Sequence, residues 1–257
     1  HDSLRSNTTG SAATAIGYNA LTVHTTGDKN TAVGRSAGAA ITTGVKNTVI
    51  GAYALDETTT GNSNTSVGRS ALSANTTGTE NETVGASALD ANTTASDNTA
   101  IGYNALTSNI TGGSNTACGN AAMTSNTTGV RNTAVGQASL FNNTTGDENT
   151  AVGDDALNSN TEGSDNVAVG KDSLKSNTTG IQNAALGANA LDANTTGNYN
   201  TAVGNHALSA TNTGANNVGV GQAALFYQTT GDDNTAMGRD ALHNNTTASA
   251  NTAVGRL

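Results

Sequence analysis

The sequence has no proline and no tryptophan, one cysteine, and few aromatic or charged residues. Charged residues make up 11% of the 257 residues and aromatic residues 3%, whereas about 25% of an average globular protein is charged. The single cysteine, Cys118, excludes an intrachain disulfide framework. No run approaches the roughly 18 apolar residues of a membrane-spanning helix. Because large apolar side chains are also rare, we do not expect a conventional globular core.

One repeat of 17 residues runs through the whole chain instead, marked by a glycine that recurs from Gly17 to Gly255 without insertion. The unit reads N-T-A-V-G-x-x-A-L-x-x-N-T-T-G-x-x. An unbroken phase is typical of solenoids, whose coils contact only their neighbours. Thr and Val favour strands, Gly permits turns, and no 3.6-residue apolar stripe indicates helix. We therefore predict an all-β fold, a parallel β-solenoid (β-roll) of fifteen 17-residue coils over residues 1–257, stacked about 4.8 Å apart.

Positions are numbered here from the marker glycine, with Asn at −4, Val at −1, Leu at +4 and paired Thr at +8 and +9. Identical amides stacked along the axis can form a hydrogen-bonded ladder, which lowers the cost of burying them. We expect the constant Asn to be such a structural ladder and the Val and Leu columns to be packed. The residues predicted in these roles are Asn30, Asn47, Asn64, Asn98, Asn132, Asn149, Val33, Val135, Leu72 and Leu157.

Both faces of the N-T-A-V segment are constant. Alternate side chains of a strand point to opposite faces, so Thr and Val share one face while Asn and Ala share the other. A single solenoid buries one face only, and one Val, one Leu and two Ala per coil make a thin core. We therefore predict a parallel homo-oligomer with cyclic symmetry, with a homotrimer preferred over other cyclic homo-oligomers. The alternative is a monomer in which Asn and Ala are simply favoured by strand geometry.

The pattern G-x-x-N-T-A-[VI]-G, present from Gly27 to Gly34 and from Gly146 to Gly153, resembles the head repeats of YadA-like trimeric autotransporter adhesins. The longer segment from Asn126 to Leu140 is similar to repeats of bacterial and viral tail-fibre-like proteins. The resemblance implies an extracellular, cell-surface or virion-borne trimeric fibre that gives reach, stiffness and attachment. Its partners would be further copies of the chain and host or surface glycans or proteins. The unit is longer than the usual adhesin head repeat, and we expect an uncapped segment of a longer fibre protein.

The sequence offers little for catalysis, metals or nucleic acid. His24, His206 and His243 lie in or beside variable positions, and Cys118 replaces a residue that we expect in the core. Acidic pairs such as Asp154 and Asp155 do not recur in every coil, so no metal or other cofactor is expected. A net charge of −9 without Lys/Arg runs argues against a nucleic-acid partner. We therefore expect a protein that is not an enzyme.

The paired Thr and the aromatic residues raise two further functions, ice binding and carbohydrate binding. The paired Thr would form ranks along the axis, and a flat Thr rank suits ice binding, with Thr76, Thr93, Thr127 and Thr144 as the candidate rank. Repetitive carbohydrate binding is disfavoured because Phe141, Phe226, Tyr227 and Tyr199 are scattered along the sequence. N-x-T glycosylation sequons coincide with the repeat motif, and they include Asn75, Asn92, Asn126, Asn143, Asn177 and Asn194.

Overall fold

The structure, a computed structural model, describes residues 2–256 and is all-β, with no helix in that range. It comprises two compact units, His1–Val130 and Arg131–Leu257. Each coil contributes one strand of three residues. The first unit contains β1 (Thr14–Ile16), β2 (Thr31–Val33), β3 (Thr48–Ile50), β4 (Thr65–Val67), β5 (Glu82–Val84), β6 (Thr99–Ile101) and β7 (Thr116–Cys118). The second contains β8 (Thr133–Val135), β9 (Thr150–Val152), β10 (Val167–Val169), β11 (Ala184–Leu186), β12 (Thr201–Val203), β13 (Val218–Val220), β14 (Thr235–Met237) and β15 (Thr252–Val254).

Within each unit, consecutive strands pair in parallel and in register. Thr31 lies opposite Thr48 in the first unit, and Thr133 lies opposite Thr150 in the second. Each partner is therefore the equivalent residue of the next coil, as a constant 17-residue step requires. The predicted all-β parallel β-solenoid is confirmed, and so is the coil length.

The interior of the coil is filled by positions −4, −2, +3, +4, +7 and +10. Ala32, Leu72 and Leu157 are fully buried, as are the Asn residues at −4 and +7 from Asn64 to Asn109. Val33 and Val135, which we expected in the core, lie on the opposite side of their strands, and Val135 is 37% exposed. The reason is the two-residue alternation of a strand: once Asn at −4 and Ala at −2 point inward, Val at −1 must point outward.

Each coil turns through left-handed backbone conformations that most residues avoid. In one coil these are Ser70, Leu72 and Glu80, with φ of 52°, 54° and 58°, and the marker Gly68, with φ of 139°. Ser70 and Glu80 occupy +2 and +12, two of the variable positions that we call the corners of the coil (+1, +2, +5, +6, +11 and +12), where Asn, Asp and Ser often occur. The left-handed Leu is less expected, because this conformation costs roughly 1–2 kcal/mol for a residue with a side chain. Its complete burial offsets that cost.

One coil of the first unit fills its interior differently. Gly38 stands at the Leu position, and Ile41 stands at the +7 position, which usually holds Asn. Ile41 is fully buried, and a Cβ added at Gly38 would lie 2.9 Å from Ile41 Cδ1 and 3.2 Å from Leu21 Cδ2. Ile41 therefore occupies the space that the missing leucine leaves.

Candidate functional site

The first Asn column is a continuous hydrogen-bonded ladder within each unit. The Asn64 backbone N–H and Nδ2 both donate to Oδ1 of Asn47, at 3.0 and 3.2 Å, and Nδ2 also donates to the Gly78 carbonyl at 2.9 Å. Asn149 makes the same bonds to Asn132 Oδ1 and to the Gly163 carbonyl. Each amide thus joins three coils, which stabilises the stack along its axis.

A second Asn ladder occupies position +7, where the sequence had not led us to predict one. Asn92 Nδ2 donates to Asn75 Oδ1 at 3.0 Å, and Asn109 Nδ2 donates to the Gly112 carbonyl three residues on at 2.8 Å. The sequence feature that indicates this ladder is the Asn of N-T-T-G, which recurs in most coils. The sequon asparagines belong to this column and are fully buried, namely Asn75, Asn92, Asn126, Asn143, Asn177 and Asn194. A folded coil therefore cannot present their Nδ2 atoms to a glycan.

The outer side of the strands forms a surface that we call the strand outer face, made of positions −3 and −1. Position −1 is an apolar rank: Ile16, Val33, Ile50, Val67, Val84, Ile101 and Cys118 in the first unit, and Val135, Val152, Val169, Leu186, Val203, Val220, Met237 and Val254 in the second. Most of its members are exposed, among them Ile50 at 43% and Leu186 at 43%. Position −3 is mainly Thr, and its one charged residue is Glu82.

Cys118 belongs to this outward rank and is half-buried, so it is not the core residue that we expected. The same alternation that turns Val outward at −1 turns this thiol outward. The face is thus apolar, β-branched and almost uncharged along each unit, and in the single chain it remains open.

The two Thr columns behave differently. Thr76, Thr93 and Thr144 at +8 are half-buried, and their hydroxyls donate to backbone carbonyls one coil further on, at 3.0, 3.3 and 3.0 Å. Thr127 occupies the same column and is also half-buried. The neighbouring column at +9 is the exposed one, and its members include Thr77, Thr94, Thr128 and Thr145. The predicted rank is thus largely engaged in backbone bonding, whereas +9 faces solvent.

The histidines occupy two environments. His24 replaces Asn in the second ladder and is fully buried; Asn30 Nδ2 lies 3.0 Å from its Nε2, and Asn7 Oδ1 lies 3.3 Å from its Nδ1. Burial lowers the pKa of His24 below its usual value, although the nearby Asp28 carboxylate opposes this effect. His206 and His243 lie at a corner of the second unit with Phe226 and Tyr227.

One carboxylate of the acidic pair Asp154–Asp155, that of Asp155, is paired with a cation. Lys175 Nζ lies 3.0 Å from Asp155 Oδ2 and 2.7 Å from Asp172 Oδ1, so these carboxylates are paired with a cation. Across residues 2–256, no three His, Cys, Asp or Glu side chains are grouped as metal ligands would be. The same residues contain no helix long and apolar enough to cross a membrane. No family model matches the chain, and the comparison with curated proteins found no match either.

Proposed function

We propose that this chain is a non-enzymatic structural segment of an extracellular fibre, carried on a cell surface or a virion, in which three parallel copies are packed together. The observation that supports this proposal is the strand outer face. It keeps an apolar residue in every coil, yet in the single chain that rank is largely exposed. Large apolar surfaces that stay exposed in a single chain usually mark an interaction surface.

The energy available from this face grows with the number of coils. At about 25 cal/mol per Å² of apolar surface, covering the exposed part of one Val or Ile contributes roughly 0.5–1 kcal/mol per coil. The seven coils of the first unit would then contribute about 4–7 kcal/mol per chain. This sum is comparable to the lower end of the roughly 4–15 kcal/mol that association costs, so many coils must contribute together.

A second copy of the chain is the partner that fits this face. The face repeats at every coil, so a partner must present its own contacts at the same spacing, and a parallel copy does so. With the apolar rank turned towards a three-fold axis, equivalent residues of the three chains meet at the same height. The charged positions, such as Arg35 and Asp154, lie at the corners and would remain in solvent.

The two Asn ladders give such an assembly its stiffness. Within each unit, successive coils are joined by backbone bonds, by the Asn ladder at −4 and, in most coils, by Asn at +7. Bending a unit would stretch buried amide bonds, which are costly to leave unmade. We therefore propose reach and rigidity as the role of the segment, with attachment through its variable corners and no cofactor.

Light scattering on the purified chain tests this proposal, with three times the mass of one chain as the expected result.

Cys118 gives a second measurement, because a three-fold axis along the strand outer face brings three Cys118 thiols together. Copper–phenanthroline, as oxidant, would accept two electrons from two thiols, which lose two protons and form one disulfide. Covalent dimers with one third of the chains left uncrosslinked are expected. A control carrying Cys118→Ser and Asn120→Cys places the thiol at an exposed corner and should not crosslink. A monomeric mass would overturn the trimer.

Ice binding is the second candidate, and the exposed Thr column at +9 favours it. The column holds Thr in every coil but one, where Glu162 stands. Thermal hysteresis measures this activity directly. Loss of hysteresis on replacing Thr77 and Thr94 by Lys, with no loss on replacing Thr76 and Thr93 by Val, would favour this function through the +9 column. Absence of hysteresis in the wild-type chain would remove it.

A further inference from the structure

Four rings come together at one corner of the second unit, and we call this cluster the aromatic corner: His206, Phe226, Tyr227 and His243. The rings of Phe226 and His243 are stacked, with centroids 5.3 Å apart and planes 7° apart. Tyr227 stands nearly perpendicular to both, at 4.8 and 5.0 Å, and His206 meets Phe226 at 5.9 Å. Every ring–ring contact in the described part of the chain lies here. Residues scattered in the sequence are thus brought together by the 17-residue step.

The repeat does not need these rings. In the preceding coil, Ser209 and Ala210 occupy the positions of Phe226 and Tyr227, and the backbone bonds continue unchanged. Ala210 N donates to the Phe226 carbonyl at 3.0 Å, and Tyr227 N donates to the His243 carbonyl at 3.1 Å. Tyr227 nevertheless keeps 49% of its surface in solvent. The rings are therefore an addition to the surface of the coil.

The ring geometry and the local charge narrow the class of ligand. A cage for a cation needs space between its rings, and centroid separations of 4.8 to 5.3 Å leave none here. Phosphate is disfavoured, because Arg239 is paired with Asp240 at 3.1 Å and the chain carries a net charge of −9. What remains is a small apolar platform with polar tips, namely the Tyr227 hydroxyl, the His243 imidazole and the Asn244 amide, whose Oδ1 lies 3.2 Å from His243 Nδ1.

We infer that the aromatic corner binds a neutral pyranose sugar of a glycan. A pyranose has an apolar C–H face that packs on an aromatic ring and a rim of hydroxyls that hydrogen-bond to nearby polar groups. This binding goes beyond the fibre proposal and does not depend on it. The aromatic corner uses positions +2, +5 and +6, whereas the strand outer face uses −3 and −1.

Saturation-transfer NMR with the methyl pyranosides of glucose, galactose, mannose and N-acetylglucosamine tests the site. At least one sugar should bind the wild-type chain, and Tyr227→Ala should bind it at least about fivefold more weakly. Tyr199→Ala is the matched control, because Tyr199 is 51% exposed at another corner; it should bind as the wild type does. Failure of all four sugars to bind, or equal binding by Tyr227→Ala, would overturn the assignment. Ala210 already occupies the Tyr227 position one coil earlier, so the variant should fold. Circular dichroism and light scattering on the same samples separate loss of the sugar site from loss of the assembly.

Discussion

Asn64 accepts at its Oδ1 from both the backbone N–H and the side chain of Asn81, at 3.0 and 3.1 Å, while its own amide donates to Asn47 and to the Gly78 carbonyl. One side chain therefore satisfies buried groups in three coils. Asn64→Ala would leave the Asn81 N–H and the Gly78 carbonyl without these partners. We expect the free energy of unfolding to fall by about 3 kcal/mol, measured by urea denaturation.

The control for this variant is Asn120→Ala. Asn120 is an exposed corner residue of the same unit, and its removal should change the free energy of unfolding by less than about 0.5 kcal/mol. Equal effects of the two variants would show that the ladder does not stabilise the coil.

Because of His24, we expect the stability of the first unit to depend on pH. Asn30 donates to its Nε2, which requires an unprotonated nitrogen, and burial lowers the pKa of the imidazole. The unfolded chain therefore binds the proton more readily than the folded chain, so stability is full above the unfolded pKa of about 6.5 and falls as the pH drops below it. His24→Asn restores the usual ladder residue.

Urea midpoints at pH 7.5 and pH 5 measure this effect. The wild-type midpoint should fall more between the two pH values than that of His24→Asn, while His206 and His243, present in both chains, contribute equally. Parallel pH profiles for the two proteins would rule out the role assigned to His24.

We expect substitutions at Gly38 and Ile41 to be strongly coupled in their effect on the free energy of unfolding. Gly38→Leu alone overfills the core against Ile41, and Ile41→Asn alone leaves a void beside Gly38. Each single variant should lose about 2 kcal/mol, whereas the double variant, which restores the ordinary repeat, should lie close to the wild type. A double-mutant cycle in urea measures the coupling. Additive losses would contradict the compensation.

The two glycine columns differ in what they tolerate. Gly68 has a φ of 139°, and a Cβ there would press on the Gly85 carbonyl, so Gly68→Ala should cost about 3 kcal/mol or more. A Cβ at Gly78 would also press on a backbone carbonyl, that of Ala95, but Gly78 does not have a positive φ, and its column at +10 holds Ala95 and Ala248 in other coils. Gly78→Ala should therefore cost less than Gly68→Ala in the same unfolding measurement. The reverse order would show that the marker glycine is not fixed by its backbone conformation.

The repeat made the parallel coil, its length and its register predictable, because any shift would have displaced every column. It did not say which face of the strand points inward. Val33 suggested an apolar core, but the buried residue is Ala32, since the neighbouring Asn must reach the interior carbonyls. Part of the aromatic corner could have been predicted from the sequence, because His243 lies one repeat after Phe226. The contact between His206 and Phe226 joins adjacent coils at two different positions of the repeat, +2 and +5, so the 17-residue spacing alone does not reveal it.

A substitution on the strand outer face can distinguish loss of assembly from loss of folding. Ile101 is 42% exposed in the apolar rank, and Tyr103 is 58% exposed two residues later at a corner. Ile101→Lys would bring three ammonium groups together at the proposed axis, where like charges repel and lose hydration. Light scattering should therefore show a monomeric mass for Ile101→Lys, while its circular dichroism matches the wild type. Tyr103→Lys adds the same charge at a solvent-facing corner and should keep the trimeric mass. If Ile101→Lys also remained trimeric, the copies would have to meet through a different face.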